Sequence, residues 1–284
     1  MEFVEGRNLS RRDFIKVGAA GIAVACAAPA HAVGAAKIPI ALQLYSVRHD
    51  FGKDQAGVLA AVAKMGYQGV EFAGYFNRKA EDLRKMLDDN GLKCCGTHLS
   101  LDALMGDNLA RTVDFNKTLG NSLLIVPGFS EKRSATHQAW VENARTFTEL
   151  AEKVKPAGMR VGFHNHVSEF TPLEGERPFD TFFANTPKDV VMQVDVGTAV
   201  EAGVDPVSLF KKYPGRAASL HVKEFSKSNP KAYVGDGDAK WKEIFAELEK
   251  QKATEWYIVE YEVEDMPAME SVARCLQNMR KMGK

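Results

Sequence analysis

From position 38 onward the chain alternates between short apolar runs and longer stretches whose apolar residues recur every three to four positions. The short runs are IALQLY (40–45), QGVEFA (68–73), KCCGTHL (93–99), SLLIVPG (122–128), MRVGFHNH (159–166), VVMQVDVG (190–197), ASLHVKEF (218–225) and WYIVEYE (256–262). Their length and composition predict strands, and intervening segments such as DQAGVLAAVAKMG, RKAEDLRKMLDDNG and DAKWKEIFAELEK predict helices. Several of these helices end at Gly, and Asp205-Pro206 predicts an N-cap followed by Pro at the first helical position. Eight strand–helix repeats over roughly 250 residues predict an α/β fold of the (β/α)8 TIM-barrel type. The competing architecture, a doubly wound open sheet, would carry Gly-x-Gly-x-x-Gly after its first strand, and none follows 40–45. No linker or break in composition divides 38–284, so residues 33–284 are expected to form one domain.

Strand parity then sorts the polar residues. Side chains alternate across a strand, so one face of each barrel strand points inward and the other packs under the helices. Gln43 opposes Leu42 and Leu44, and Glu71 opposes Val70 and Phe72. His164 and His166 oppose Val161 and Phe163; Gln193 and Asp195 oppose Met192 and Val194. Ser219, His221 and Lys223 oppose Leu220 and Val222, while Glu260 and Glu262 oppose Tyr257 and Val259. With His98 ending the third strand, the polar set gathers at the C-terminal strand ends, where barrel enzymes place their chemistry. So many inward charges are costly to bury without pairing or a cation.

Asp195, His221 and Glu260 on three successive strands, joined by one ligand from the fifth, form a mixed nitrogen and oxygen donor set. Such a set suits a divalent metal ion such as Mn²⁺, Mg²⁺, Co²⁺ or Zn²⁺. The alternative is a hydrogen-bonded polar layer that caps the barrel without metal. No Cys-x-x-Cys pattern suggests a zinc knot, and adjacent Cys94 and Cys95 point to opposite faces, so they are read as small buried residues rather than a disulfide.

Composition narrows the partners. The 284 residues carry a formal net charge of +0, with 45% hydrophobic and 26% charged residues, which gives no support to nucleic acid or an anionic membrane as partner. The first 32 residues differ from the rest. LSRRDFIKVGAAGIAVACAAPAHA combines Arg11-Arg12, a modest apolar stretch and Ala30-His31-Ala32, and so reads as a secretory signal. Its Ser-Arg-Arg-Asp-Phe-Ile-Lys order resembles a twin-arginine signal, which implies the twin-arginine export machinery as a partner and a periplasmic or secreted location. The apolar run is too short for a spanning helix, and no stable membrane association is expected. Lipidation at Cys26 is the alternative, although Ala23 stands where a lipobox usually has Leu.

The stretches LQLYSVR (42–48), GYQGVEFAG (66–74), GFHNHVSEF (162–170), QVDVGT (193–198), LHVKEF (220–225), VGDGDAKWKEIF (234–245) and YIVEYE (257–262) together resemble the xylose-isomerase-like TIM barrels. This superfamily also contains the sugar phosphate isomerases/epimerases and the AP-endonuclease-2 proteins, and the resemblance covers nearly all of 38–284. In its ketohexose epimerases the cation is held by Glu, Asp, His and Glu on strands 5 to 8, and the two glutamates exchange the substrate proton. Three of these positions fall on Asp195, His221 and Glu260; the fourth falls on His164, a departure that breaks the two-glutamate pattern. The resemblance implies His164 as metal ligand and His166 as acid–base, as in dehydratase-like relatives, with reversed roles as the alternative. Glu260 is the other candidate proton carrier. Lys223 would neutralise an oxyanion, its alternative being a salt bridge to Glu260 or Glu262. Glu71 and His98 would bind substrate hydroxyls at the rim, the alternative being hydrogen bonds to the ligands from behind. Glu169 would orient a histidine, touch substrate or serve as a ligand, and VGDGDAKW would form a loop over the site.

The expected function is an exported, divalent-metal-dependent isomerase or epimerase of a small carbohydrate, working by proton abstraction beside a carbonyl. The alternative on the same residues is β-elimination from a 3-keto-glycoside. Two further alternatives are an abasic-site endonuclease, which would need a richer histidine cluster and a basic groove, and a non-catalytic periplasmic sugar-binding barrel.

Overall fold

The computed structural model describes residues 37–284; the signal segment and Cys26 lie outside the described residues. Eight strands form a closed parallel barrel in sequence order: β1 (Ile40–Gln43), β2 (Gly69–Ala73), β3 (Lys93–His98), β4 (Leu123–Val126), β5 (Arg160–His164), β6 (Val191–Asp195), β7 (Ser219–Val222) and β8 (Trp256–Val259). Closure is made by β1 against β8, with Ile40 opposite Tyr257 and Leu42 opposite Val259. A helix follows every strand, from Gln55–Met65 after β1 to Ala268–Lys281 after β8. The (β/α)8 architecture read from the alternating pattern is therefore present. Among the described residues no helix is long and apolar enough to cross a membrane.

Several strands stop earlier than the sequence pattern suggests, because side chains at their ends take over the backbone. The run 40–45 ends at Gln43, whose side-chain oxygen accepts the Tyr45 N–H at 3.0 Å and starts a 3-10 turn. The run 190–197 ends at Asp195, whose carboxylate caps the next helix by accepting the Thr198 N–H at 2.8 Å. Asp205 caps the helix Pro206–Lys212 through the Val207 N–H at 3.1 Å, with Pro206 in the first turn as expected. Strand β5 ends at His164, so His166 stands beyond the ladder.

Two apolar regions hold the barrel. The main core lies between sheet and helices and takes the outward residues Leu42, Phe72, Phe163, Val194, Leu220 and Tyr257. Full burial of such a side chain stabilises by about 1.5–3 kcal/mol. Inside the barrel the lower half is filled by two small clusters: Leu123, Ile125, Val191 and Ala218, and Ala41, Cys95 and Ile258 with Trp256 against them. Gly162 makes room for this plug, since a Cβ there would lie 2.7 Å from Ile125 Cδ1. A bulge opposite Val70 and Glu71 helps turn Cys95 into the interior, while Cys94 joins the outer core. Both cysteines, and Cys275, are free and buried.

Candidate active site

The upper half of the barrel interior is polar. His164 ends β5, Asp195 ends β6, His221 lies in β7 and Glu260 follows β8, so successive strand ends aim four donors at one point. One ligand atom from each lies within 4.8 Å of the others, and all four residues are buried. His98, His164 and His221 make a second, overlapping group of the same kind. Burial and the neighbouring histidines push the His164 imidazole well below its ordinary range, leaving it neutral. Asp195 is pushed up by burial, against the pull of Lys223, with Glu260 adding to the rise. Its Oδ1 accepts the Thr198 N–H, but its buried Oδ2 has no hydrogen-bond partner. A buried carboxylate oxygen without a donor is expensive, and a cation is the partner that relieves it. Two imidazoles and two carboxylates suit a borderline divalent ion, so the residues present fit a metal.

Beneath this group sits Glu71, fully buried, so it does not bind a hydroxyl at the rim and takes the alternative place of a hydrogen-bonding support. Its Oε2 accepts from Gln43 Nε2 at 2.8 Å and lies 2.6 Å from His221 Nε2 and 3.1 Å from His98 Nε2. Its Oε1 accepts from Gln193 Nε2 at 2.8 Å. Burial acts to raise the Glu71 carboxyl, but His98 and His221 outweigh it and hold the group ionised. Gly96 opens the space for it, since a Cβ there would fall 2.4 Å from Oε1. By engaging His221 Nε2, Glu71 leaves the Nδ1 edge facing Glu260 at 3.0 Å. Gln193 meets His164 Nδ1 at 3.1 Å and His98 Nε2 at 2.7 Å. Three residues that received no role from the sequence support the histidines: Gln193 contacts two imidazoles directly, Ser219 accepts from Gln193 Nε2, and Gln43 donates to Glu71. Their inward parity was the available signal.

Above the ligands opens a cavity of about 580 Å³ lined by His98, His164, His166, Lys223, Glu260 and Glu262, with Tyr45 at its edge. His166 is exposed, its ring centroid 5.1 Å from that of His164, and it is not among the converging ligand atoms. Burial acts to lower the Lys223 ammonium, but Asp195, Glu260 and Glu262 raise it well above its ordinary range and keep it charged. It bonds the Glu262 carboxylate, and Nζ lies 3.7 Å from Glu260 Oε2 and 3.9 Å from Asp195 Oδ2.

Two expected placements differ. Glu169 does not reach a histidine ring: its carboxylate accepts the His166 backbone N–H at 2.6 Å and the Ser168 hydroxyl at 2.9 Å, closing the turn after β5. It therefore fixes the backbone that carries His166. The VGDGDAKW segment contributes no residue to the 580 Å³ cavity. It is tied instead to Glu224, whose carboxylate accepts from the Gly235 and Ala239 N–H groups and from Trp241 Nε1 at 2.7 Å. Tyr45, 43% exposed beneath the Arg48 guanidinium, was missed because an aromatic just past a strand end has no periodic signature.

A family model described as Xylose isomerase-like TIM barrel matches residues 59–282. The rhizopine catabolism protein MocC of Rhizobium meliloti is 24% identical, across 72% of this chain and 73% of its own. An inosose dehydratase of Histophilus somni is 25% identical, across 72% of this chain and 81% of its own. The solved structure of a sugar phosphate isomerase/epimerase from Parabacteroides distasonis shares 25% identity at a TM-score of 0.75, covering 86% of this chain and 98% of that one.

Proposed function

The chain belongs to the xylose isomerase-like TIM-barrel family, and from that premise we propose that it is a divalent-metal-dependent enzyme that removes a proton beside the carbonyl of a cyclic keto-sugar and completes the reaction by β-elimination. The observation that carries this reading is the asymmetry of the site. Four buried donors converge at the cavity floor, where His164 and Glu260 reach its lining, and a single exposed imidazole, His166, lines the same cavity outside them. Epimerisation through two glutamates needs a carboxylate from β5, and β5 presents His164 there. Elimination needs one base, a stabilised oxyanion and a leaving group. The inosose dehydratase among the relatives carries a name that fits such chemistry.

A cation held by His164, Asp195, His221 and Glu260 would supply a Lewis acid for the carbonyl oxygen. His166 takes the proton from the carbon next to that carbonyl, as a general base lining the cavity. The C–H electron pair becomes the new C=C bond as the neighbouring C–O bond breaks, and the leaving oxygen departs with a proton. The products are an unsaturated ketone and water or an alcohol, with no net redox change. Lys223 adds a fixed positive charge beside the developing oxyanion, and Glu169 keeps the His166 backbone in place.

A second reading, isomerisation or epimerisation, is favoured by Glu260 lining the same cavity, where it is a second carboxyl able to return the proton. The twin-arginine-like segment supports a periplasmic or secreted site of action, which cell fractionation tests. For the chemistry, metal-stripped protein is resupplied with single divalent ions and incubated with keto-sugars in deuterium oxide. Uptake of deuterium beside the carbonyl together with an enone absorbance is expected. Full activity after metal stripping would sink the proposal, and deuterium uptake with epimer but no enone would select the second reading.

A further inference from the structure

A second cavity, of about 530 Å³, adjoins the first. The two share Pro127, Gly128 and His166, so the exposed imidazole stands at the neck between them. Each lobe alone falls within the roughly 300–1,000 Å³ of an ordinary ligand pocket. The two lobes differ in chemistry. The first holds the ligand group and Lys223. The second is walled by Phe129, Trp140, Pro172, Leu173 and Pro178, with the Thr171 hydroxyl on its lining beside Ser134 and Ser168, whose hydroxyls donate to Ser130 and Glu169 and keep lone pairs to accept with. Its aromatic wall is rigid: Phe129 stacks on Phe163 at 4.9 Å and meets Trp140 edge-on at 5.3 Å. Flat apolar walls with a few polar groups are what the face and hydroxyls of a ring require.

We infer that the substrate is a two-part keto-glycoside, its keto ring held in the first lobe and its leaving group, a second sugar or aryl ring, seated in the second. This rests on the elimination reading above and specifies it, since the bond that breaks then runs through the neck beside His166. Water as the leaving group would need no second lobe. The step keeps its balance: the ring carbon beside the carbonyl loses a proton to His166, the glycosidic C–O bond breaks, a C=C bond forms, and the second ring leaves as an alcohol carrying a proton. The imidazolium that has just formed stands at the neck, where it is placed to return that proton to the departing oxygen.

Gly128 offers a probe that leaves the fold alone, since a Cβ there would meet no atom within 4 Å. Gly128→Leu narrows the neck, and Thr171→Trp fills the second lobe from an exposed position. Metal-replete wild type and both variants are compared on p-nitrophenyl 3-ketoglucoside and methyl 3-ketoglucoside, following alcohol release and deuterium exchange. We expect wild type to prefer the aryl compound, and each variant to lower the aryl-to-methyl ratio of kcat/KM by about tenfold. An equal fall on both compounds, or no wild-type preference, overturns the second-lobe assignment. If neither compound exchanges deuterium or releases alcohol, the elimination reading fails. Calorimetric binding of the same pair then decides the lobe separately: tighter aryl binding weakened by Thr171→Trp supports it, and equal affinities overturn it.

Discussion

The two halves of the barrel interior are built by the same strands and obey the same parity, yet they do opposite work. In the lower half Leu123, Ile125 and Val191 close the barrel with apolar surface. Above it, Glu71, His164, Asp195, His221 and Glu260 occupy the same inward positions and are equally buried. The lower layer stabilises through packing and desolvation. The upper layer concentrates charge where solvent is excluded, which is unfavourable for the fold unless each group finds a partner. Glu71 has found its partners in two glutamines and two histidines, whereas Asp195 Oδ2 accepts no hydrogen bond among the described residues and has only the Lys223 ammonium at 3.9 Å. A region whose polar groups are incompletely satisfied by the chain itself is organised for something the chain does not contain.

Substitutions can break this contrast or sharpen it. Asp195→Asn should have the largest effect, lowering turnover on the order of 10³-fold, equivalent to about 4 kcal/mol. The metal-free variant should melt no lower than wild type, because a buried charge that desolvation disfavours more than Lys223 supports has been removed. Thermal unfolding alongside kinetics checks both, and a large drop in Tm would refute the contrast. Ile125→Ala should do the reverse, costing about 2–5 kcal/mol of stability while the folded fraction keeps its turnover. Denaturant melts read the first quantity and activity per folded molecule the second.

Glu71→Gln lies between the halves in kind. It keeps the volume but removes the charge that holds the His221 imidazole, so metal affinity should fall about 10- to 100-fold. Titration with a divalent ion measures this; unchanged affinity would show that Glu71 is merely structural. Smallest of all, Ser219→Ala removes the hydroxyl that accepts from Gln193 Nε2 at 2.9 Å. It should cost about 1 kcal/mol of stability and shift metal affinity only a few-fold. An effect as large as that of Glu71→Gln would move the boundary between the halves downward.

Much of this was legible in the sequence. Leu220-His221-Val222-Lys223 alternates apolar and polar side chains, and a parallel barrel strand can satisfy that pattern only with His221 and Lys223 inward. Asp195 and Glu260 follow by the same parity, and the structure brings both into one group with His164 and His221. Parity fixes a face but not a depth. Glu71 and His98 were therefore left with the same pair of roles, rim or support, and only the structure separates them: Glu71 lies sealed beneath the ligands and His98 lines the cavity. Glu169 was placed near the histidines by its spacing, but the turn Val167–Phe170 directs its carboxylate to the backbone instead.

By itself the sequence determined the strand count, the inward face of each strand and the chemical types gathered at the strand ends, since these follow from local periodicity. Only the tertiary structure decided which groups share a centre, which lie beneath it, and that His166 stands at a neck between two cavities. Those relations depend on barrel closure, on the stagger between neighbouring strands and on where each strand gives way to a turn. They join residues as distant in sequence as Glu71 and His221, and no local pattern encodes the distance between them.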